Sequence, residues 1–475
     1  MRNRIGGRIW RLLPAVALLA AVPSLAQGDW NQAYGDIGNS SFVNVATDIG
    51  VRPLWSVQLN GPVAWGGPAI GRGETVYVGT TNGILNAFWP DGKFRCAVFF
   101  PGGVFTSTPA VLPGGEVAVL FQRPATPGMQ GFLALLSEDC KPIWETELPR
   151  WTQDKNSVSS GSVKVWTLAS TGASFLFVHA RNTRLADVST PNPDNGTPNE
   201  LLVYTTDGRL FARHPVGNVC LYLHGGGSGV LGDLWDFLTG LWPSTGTLPP
   251  LYEQLGWPDS TPAIMDSVIR GSSTPSQPLV AVTDICAELK VLQFRPEAAA
   301  MSDRLVKTWS TFADERETLL SSPAVTPEGL VAIGTSTHRL KVYDLATRSL
   351  SWQVETKYPV EHPPAMAPGV WFTLSEFIGW LYDPNTHGLA PTLRPQPHSI
   401  DGALGAPAAS LTQAFLPTFG GLEVWSYDLQ ILAHPLQHEH FHTTNPALSA
   451  SGRLYVVGQA AEPLESSVLY AFGPP

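Results

Sequence analysis

Charge is scarce in this chain: Asp, Glu, Lys and Arg make up 14% of its 475 residues, against about a quarter in an average domain. Lys and Arg are not gathered into a stripe and the formal net charge is −10, so nothing in the composition points to a nucleic acid or an anionic lipid surface as partner. Cysteine is confined to Cys96, Cys140, Cys220 and Cys286. None has C-x-x-C spacing, which excludes a zinc ribbon, a thioredoxin-like redox motif and the C-x-x-C-H attachment of a c-type haem. Past the first 26 residues no stretch approaches the roughly 20 apolar residues that a membrane helix requires. A G-x-S-x-G elbow and a phosphate loop are also missing; Gly225 to Gly229 lacks the lysine and the strand-to-helix context of such a loop and reads as a flexible hinge.

What is plentiful is turn-forming and aromatic residues, with 46 Gly, 42 Pro and 16 Trp. Low charge, frequent turns and many large rings suit an all-β repeat protein. At the N-terminus Arg2, Arg4, Arg8 and Arg11 precede an apolar run from Leu12 to Val22 that ends in Ser24-Leu25-Ala26. A basic head, a short apolar middle and a small-x-small end describe a secretory signal over residues 1–26. No cysteine follows the cleavage point to carry a lipid anchor. The expectation is a periplasmic or secreted protein.

The stretch Leu319 to Glu355 divides into four short strands, around Ser322 to Val325, Leu330 to Gly334, Leu340 to Asp344 and Leu350 to Val354, separated by Pro327-Glu328-Gly329, Ser336-Thr337-His338 and Ala346-Thr347-Arg348. Each run carries β-branched or aromatic residues between turn formers. One such sheet cannot bury both faces alone, so it must stack on copies of itself. The opening Pro-Ala pair recurs at Pro68, Pro109, Pro262, Pro323, Pro364, Pro407 and Pro446, and where the array is compact the interval is roughly 40 residues, the period of a propeller blade. Between Pro109 and Pro262 a divergent unit fits, with Ser160 to Val163, Phe175 to Val178 and Leu202 to Tyr204 as its strands. The count is then eight four-stranded antiparallel blades; seven is the alternative if the divergent region is an insertion. The last unit lacks a fourth strand, and Leu54 to Leu59 has the fourth-strand pattern. Pairing the two closes the ring and removes two open edges. The propeller spans 54–475, after a leader segment at 27–53.

Two stretches break the period, near 181–200 and 224–257. The first is rich in Pro, Asn, Asp and Thr and reads as a surface loop. In the second, Leu231, Leu234, Trp235, Leu238 and Trp242 fall at helical spacing, which makes an amphipathic partner surface or a packed decoration. The cysteines allow three pairings; in an oxidising compartment the expected one joins neighbouring blades through Cys96 and Cys140, which stand one repeat apart near similar points of the unit, leaving Cys220 with Cys286, and buried free thiols are the alternative.

In a propeller the crossover into each inner strand lies at a mouth of the central channel. Those crossovers carry Trp65, Thr106, Ser157, Ser159, Asp259, Glu317, His362, Asp401, His440 and His442, a polar rim for a small ligand or a protein partner. His438 to His442 is the richest histidine run; if extended, its imidazoles share one face, with neighbours about 7 Å apart. His440 and His442, with His362 or Asp401 as a third ligand, form a candidate metal site, against which stands a solvated histidine face.

The Pro-Ala opening, the glycine-flanked strands, the run Tyr343-Asp344-Leu345-Ala346-Thr347 followed by Trp352, and the leader residues Asp29-Trp30, Gly35-Asp36 and Asn39-Ser40-Ser41 resemble the pyrroloquinoline quinone (PQQ)-like propeller repeat of the quinoprotein alcohol dehydrogenase-like superfamily. The resemblance implies a propeller. It implies two functions: a cofactor-free binding or scaffolding module similar to the periplasmic scaffold subunit of the outer-membrane β-barrel assembly machinery, or a quinone- and calcium-dependent oxidoreductase acting on an alcohol or sugar. For the second, Asp259 and Asp401 are candidate bases and Trp65 a candidate stacking ring. The pair of adjacent cysteines found beside the cofactor in many alcohol-oxidising relatives is missing here, which favours the first, and the tryptophans are more simply blade-to-blade packing.

Overall fold

The computed structural model describes residues 30–50, 52–64, 66–125, 129–150, 157–159, 161–182, 199–217, 260–266, 277–284, 288–312, 321–375, 378–385, 388–389, 405–418, 421–428, 430–436, 441–460 and 467–473. Blade 1 shows the repeating unit. Its strands Ala69–Ile70, Val76–Gly79, Ile84–Phe88 and Phe94–Phe99 pair in sequence order, each antiparallel to the next. The hairpin into the outer strand turns at Asp91-Gly92, where Gly92 takes φ +81° and the Trp89 N–H donates to the Lys93 carbonyl at 2.8 Å. Every residue of the second strand is buried, whereas the outer strand leaves Phe94, Ala97 and Phe99 exposed. A strand covered on both faces reads as a continuous apolar run, and one at the rim alternates.

Eight such sheets are present, beginning at inner strands Ala69–Ile70, Ala110–Val111, Lys164–Thr167, Ala263–Met265, Ala324–Val325, Ala365–Ala367, Ala408–Ala409 and Ala447–Leu448. The eight-blade reading therefore holds and the seven-blade alternative falls. The divergent unit is blade 3, whose second strand, Ser174–Asn182, pairs with both Lys164–Thr167 and the short Ser157–Val158. Residues 181, 182, 199 and 200 belong to strands here. The loop expected over 181–200 is thus shorter by two residues at each end: cross-strand partners, such as Arg181 opposite Val158 and Glu200 opposite Ala180, extend the ladder past the point where composition turns polar.

The ring closes as expected. Trp55–Gln58 runs antiparallel to Ser467–Phe472, with Trp55 opposite Ala471 and Gln58 opposite Val468. Blade 8 thus takes its outer strand from the start of the chain, and no blade has to fold with an open flank.

The hydrophobic core is not central. It is a circle of seams, each made by the facing sides of neighbouring blades. Leu85, Phe105, Val119 and Phe121 fill the first seam, between blades 1 and 2; Leu120, Leu135, Val165 and Leu176 the second; Phe177, Val203, Val280 and Phe294 the third. Ala281, Val291, Ile333 and Tyr343 continue it between blades 4 and 5. One further cluster unites blades 7, 8 and 1 with Trp30, Val43 and Ile49 of the leader.

Candidate functional site: the channel and its two mouths

The leader runs round the inner strands at one end of the ring. Its backbone visits the inner strands in chain order. The N–H groups of Ile70, Val111, Ile264, Val325, Met366 and Ala409 donate to the carbonyls of Trp30, Asn31, Ile37, Gly38, Ser40 and Ser41, at 2.8, 2.7, 2.6, 2.7, 2.7 and 2.8 Å. In blade 3 the Val165 N–H donates to Gln32 Oε1 at 2.9 Å. These donors occupy the same place in each blade, where the inner strand runs into the turn toward the second strand. The leader then crosses the corresponding turn of blade 7, where the Leu411 N–H donates to the Val45 carbonyl at 2.8 Å. It leaves as the outer strand of blade 8. The mouth of the channel on this side is therefore lined by protein contacts of the leader.

Three leader side chains explain why this segment reads as it does. Asp36 Oδ1 accepts from the Gly38 and Ser40 N–H groups at 2.9 and 3.0 Å, folding the loop on itself. Asn39, at φ +59°, turns its amide inward and donates to the carbonyls of Thr261 and Pro323 at 3.1 and 2.7 Å. The Tyr34 hydroxyl hydrogen-bonds Ser322 and Thr261, and burial pushes its pKa up. From below, Lys164 Nζ donates to the carbonyls of Ala33 and Asp36. Lys164 is fully buried, and that burial brings its ammonium down to about 7 against the opposing pull of Asp36.

Above the leader a belt of hydrogen bonds joins blade to blade. The Gly67 N–H donates to Thr108 Oγ1 at 2.9 Å, the Thr108 N–H to Ser162 Oγ at 3.0 Å, the Ser162 N–H to Thr261 Oγ1 at 3.0 Å and the Thr261 N–H to Ser322 Oγ at 2.9 Å. Farther round, the Ala406 N–H donates to Asn445 Oδ1 at 2.7 Å. Each acceptor stands one residue before a blade's inner-strand opening, usually as Ser, Thr or Asn before Pro-Ala. Pro363 holds that position in blade 6 and supplies no such acceptor.

The opposite mouth is where the crossovers arrive. Connections at the leader end are short turns in most blades, such as 71–75, 112–116 and 326–329, whereas 183–198, 218–259 and 390–404 all depart from strand ends at the crossover end. Thr106, Ser157 and Ser159 are buried rather than displayed there. Gln122 Nε2 donates to Thr106 Oγ1 at 3.5 Å and to the Ser159 carbonyl at 3.3 Å, and Ser157 Oγ donates to the Pro149 carbonyl at 2.7 Å. These polar groups brace the crossovers.

Solved structures with this architecture include BamB from Moraxella catarrhalis, with a TM-score of 0.56 at 10% identity over 90% of this chain and 100% of that one. Saccharomyces cerevisiae Sqt1 superposes with a TM-score of 0.55 at 10% identity, over 90% of this chain and 100% of that one. The computationally designed Ika8 protein gives 0.54 at 13% identity, over 88% and 99%. The shared property is the propeller fold. No family profile and no curated protein matches the sequence.

Of the residues singled out from sequence, His362 lies on the crossover from blade 5 to blade 6, half-buried, with desolvation holding its imidazole down to about 4. His442 lies in the strand Phe441–Thr443, opposite Gln459 of blade 8. His438 to His442 also spells H-E-x-x-H, a zinc motif only when helical; a strand over its last two residues is the extended form the sequence reading assumed. His438 and His440, with Trp65, Asp259, Glu317, Asp401, Cys220, Cys286, Leu231, Leu234, Trp235, Leu238 and Trp242, lie outside the described residues. Among the described residues no group of three or more His, Cys, Asp or Glu side chains is placed to hold a metal ion, and no helix is long and apolar enough to cross a membrane.

Cys96 and Cys140 are joined in a disulfide with Cα atoms 5.9 Å apart. They do not occupy similar points of the unit, as sequence spacing suggested: Cys96 is in an outer strand, and Cys140 is in the turn that precedes the next blade's outer strand. The leader's role and the belt were missed. Thr108, Ser162, Thr261, Ser322 and Asn445, each just before an opening, were visible in the sequence, but the partner of each is a backbone N–H one blade away.

Proposed function

We propose that this protein is an exported propeller that works as a non-catalytic binding or scaffolding module, engaging a protein partner through its crossover face. The observation that supports this reading most directly is the fate of the polar groups along the channel: the belt hydroxyls, Asn39, Tyr34 and Lys164 are all engaged in joining blades to one another or to the leader. They build a frame rather than a reaction chamber. With the leader across one mouth, the other end is where the strands that border the three longest connections begin and end, and loops joined to a rigid scaffold commonly carry function.

A photoreactive residue placed at the exposed Lys357, on the crossover from blade 5 to blade 6, should yield a defined protein adduct in the producing cell. The same residue at the exposed Glu328, in a turn beside the leader, should yield none. Equal adducts from both positions would count against a crossover-face interface. The oxidoreductase reading is tested on the mature protein with PQQ and calcium, by quinone absorbance and dye-linked oxidation of alcohols and sugars. Stoichiometric quinone with turnover replaces the scaffold reading and makes Asp259 and Asp401 the first positions to mutate.

A further inference from the structure

Tryptophans of the outer strands meet the next blade, and in two of those contacts the ring lies on a glycine turn. Trp55, in the outer strand of blade 8, lays its indole on Gly92 in the last turn of blade 1. A Cβ there would sit 2.8 Å from the ring, and the indole N–H donates to the Pro90 carbonyl at 2.9 Å. Trp144, in the outer strand of blade 2, does the same to blade 3, with 2.9 Å from Gly208 and 2.7 Å to the Thr206 carbonyl. Trp309 meets Tyr343 of blade 5 at 5.6 Å between centroids, and Trp352 meets Trp371 of blade 6 at 5.5 Å. Trp144, Trp309 and Trp352 stand opposite Leu135, Val291 and Val342, each just before the register shift in its ladder.

Cys96 holds that register position in blade 1. It stands opposite Ala87, and the register shift follows at once. Cys140 holds the glycine position of the receiving turn. It lies four residues before Trp144, as Gly92 lies four before Cys96, and it takes φ +59° where Gly92 and Gly208 take +81° and +83°. Both halves of the dock are thus replaced together, the ring by one cysteine and the bare turn by the other. The two replacements are joined covalently.

We propose that the Cys96–Cys140 disulfide is a redox-controlled substitute for the tryptophan-on-glycine dock, so that the outer seam between blades 1 and 2 is locked in oxidising surroundings and released in reducing ones. Closing it transfers two electrons and two protons from the thiols to a low-molecular-weight disulfide, which leaves as two thiols. The released state keeps a non-covalent guide. Arg95, next to Cys96, pairs with Asp139, next to Cys140, at 3.0 Å, and with Glu138 at 3.4 Å; its Nη1 donates to Thr75 Oγ1 at 2.8 Å. The guanidinium also lies 4.3 Å from the Trp89 ring centroid. This cross-seam bracket holds the two thiols in register for reoxidation.

The test uses the mature chain carrying Cys220→Ser and Cys286→Ser, with thermal unfolding followed at several ratios of reduced to oxidised glutathione. The melting temperature should drop by several degrees on reduction. Cys96→Ser with Cys140→Ser should show the lower value at every ratio. Cys96→Trp with Cys140→Gly should recover at least half of the loss and ignore the ratio, while Cys96→Trp alone should recover nothing, because the Cys140 Cβ fills the space of the ring. A Trp/Gly variant no more stable than the Ser/Ser variant overturns the equivalence, and a parent protein indifferent to the ratio overturns the lock. Amide exchange on the parent protein decides the matter without relying on the Trp/Gly variant. On reduction, faster exchange should be confined to residues 94–99 and 137–142, and acceleration spread evenly over all blades overturns the proposal.

Discussion

Lys164 shows how one side chain can be decisive and invisible at once. In seven blades the equivalent position is the alanine of Pro-Ala; in blade 3 it is a lysine, which from sequence only marks the unit as divergent. Its purpose appears when the leader is in place, because its partners are backbone carbonyls of residues far away in sequence. Burial lowers the Lys164 pKa to about 7 in the folded protein from an ordinary value of 10.5. Above the folded value and below the ordinary one, the unfolded chain binds a proton that the folded chain does not, so stability rises with pH through that window. The melting temperature of the wild type should therefore gain on that of Lys164→Met between pH 7 and pH 10. Parallel curves would mean that the ammonium keeps its charge on the two carbonyls throughout. The histidine candidates were legible as residue types only: a run of imidazoles announces metal affinity, but a third ligand is a matter of which crossovers converge, and that is set by loops rather than by the repeat.

At the scale of the element, most of the blade was readable because its signals are local. Strand alternation, Asp-Gly turns and the Pro-Ala opening each lie within a few residues, so the eight sheets and the closing strand followed from pattern alone. The docking of outer strands was half readable. Sixteen tryptophans pointed to blade packing, yet the glycines that receive Trp55 and Trp144 sit in other blades and look like ordinary hairpin residues. Gly208→Ala tests the distinction. Gly208 combines φ +83° with a Trp144 ring 2.9 Å from the missing Cβ, whereas Gly172 has φ +74° and open space around it. A left-handed non-glycine residue costs about 1–3 kcal/mol, so Gly172→Ala should lose stability in that range and Gly208→Ala distinctly more, read by chemical denaturation. Equal losses would show that the ring moves aside freely.

For the whole molecule, the leader is the element that sees every unit. Propeller blades contact mainly their neighbours, so stability in a ring is a sum of local terms unless something spans it. A chain lacking residues 30–50 but keeping Trp55–Gln58 should lose the inner-strand bonds of blades 1 to 7 together. Each such bond contributes about 0.5–1.5 kcal/mol net. Calorimetry of that variant should give a lower and broader transition, in which blades unfold more independently; an unchanged single peak would reduce the leader to a passenger.

Repeat proteins change size by gaining or losing a unit, since an array tolerates one more or one fewer of the same. Here the arc from Trp30 to Ser41 meets successive blades at successive positions, like a tape laid once round the inside of a hoop. Adding or removing a blade changes the circumference and puts the tape out of step with every blade beyond the change. Residues 30–41 thus act as a gauge of copy number, and the blade count can change only if the tape changes with it.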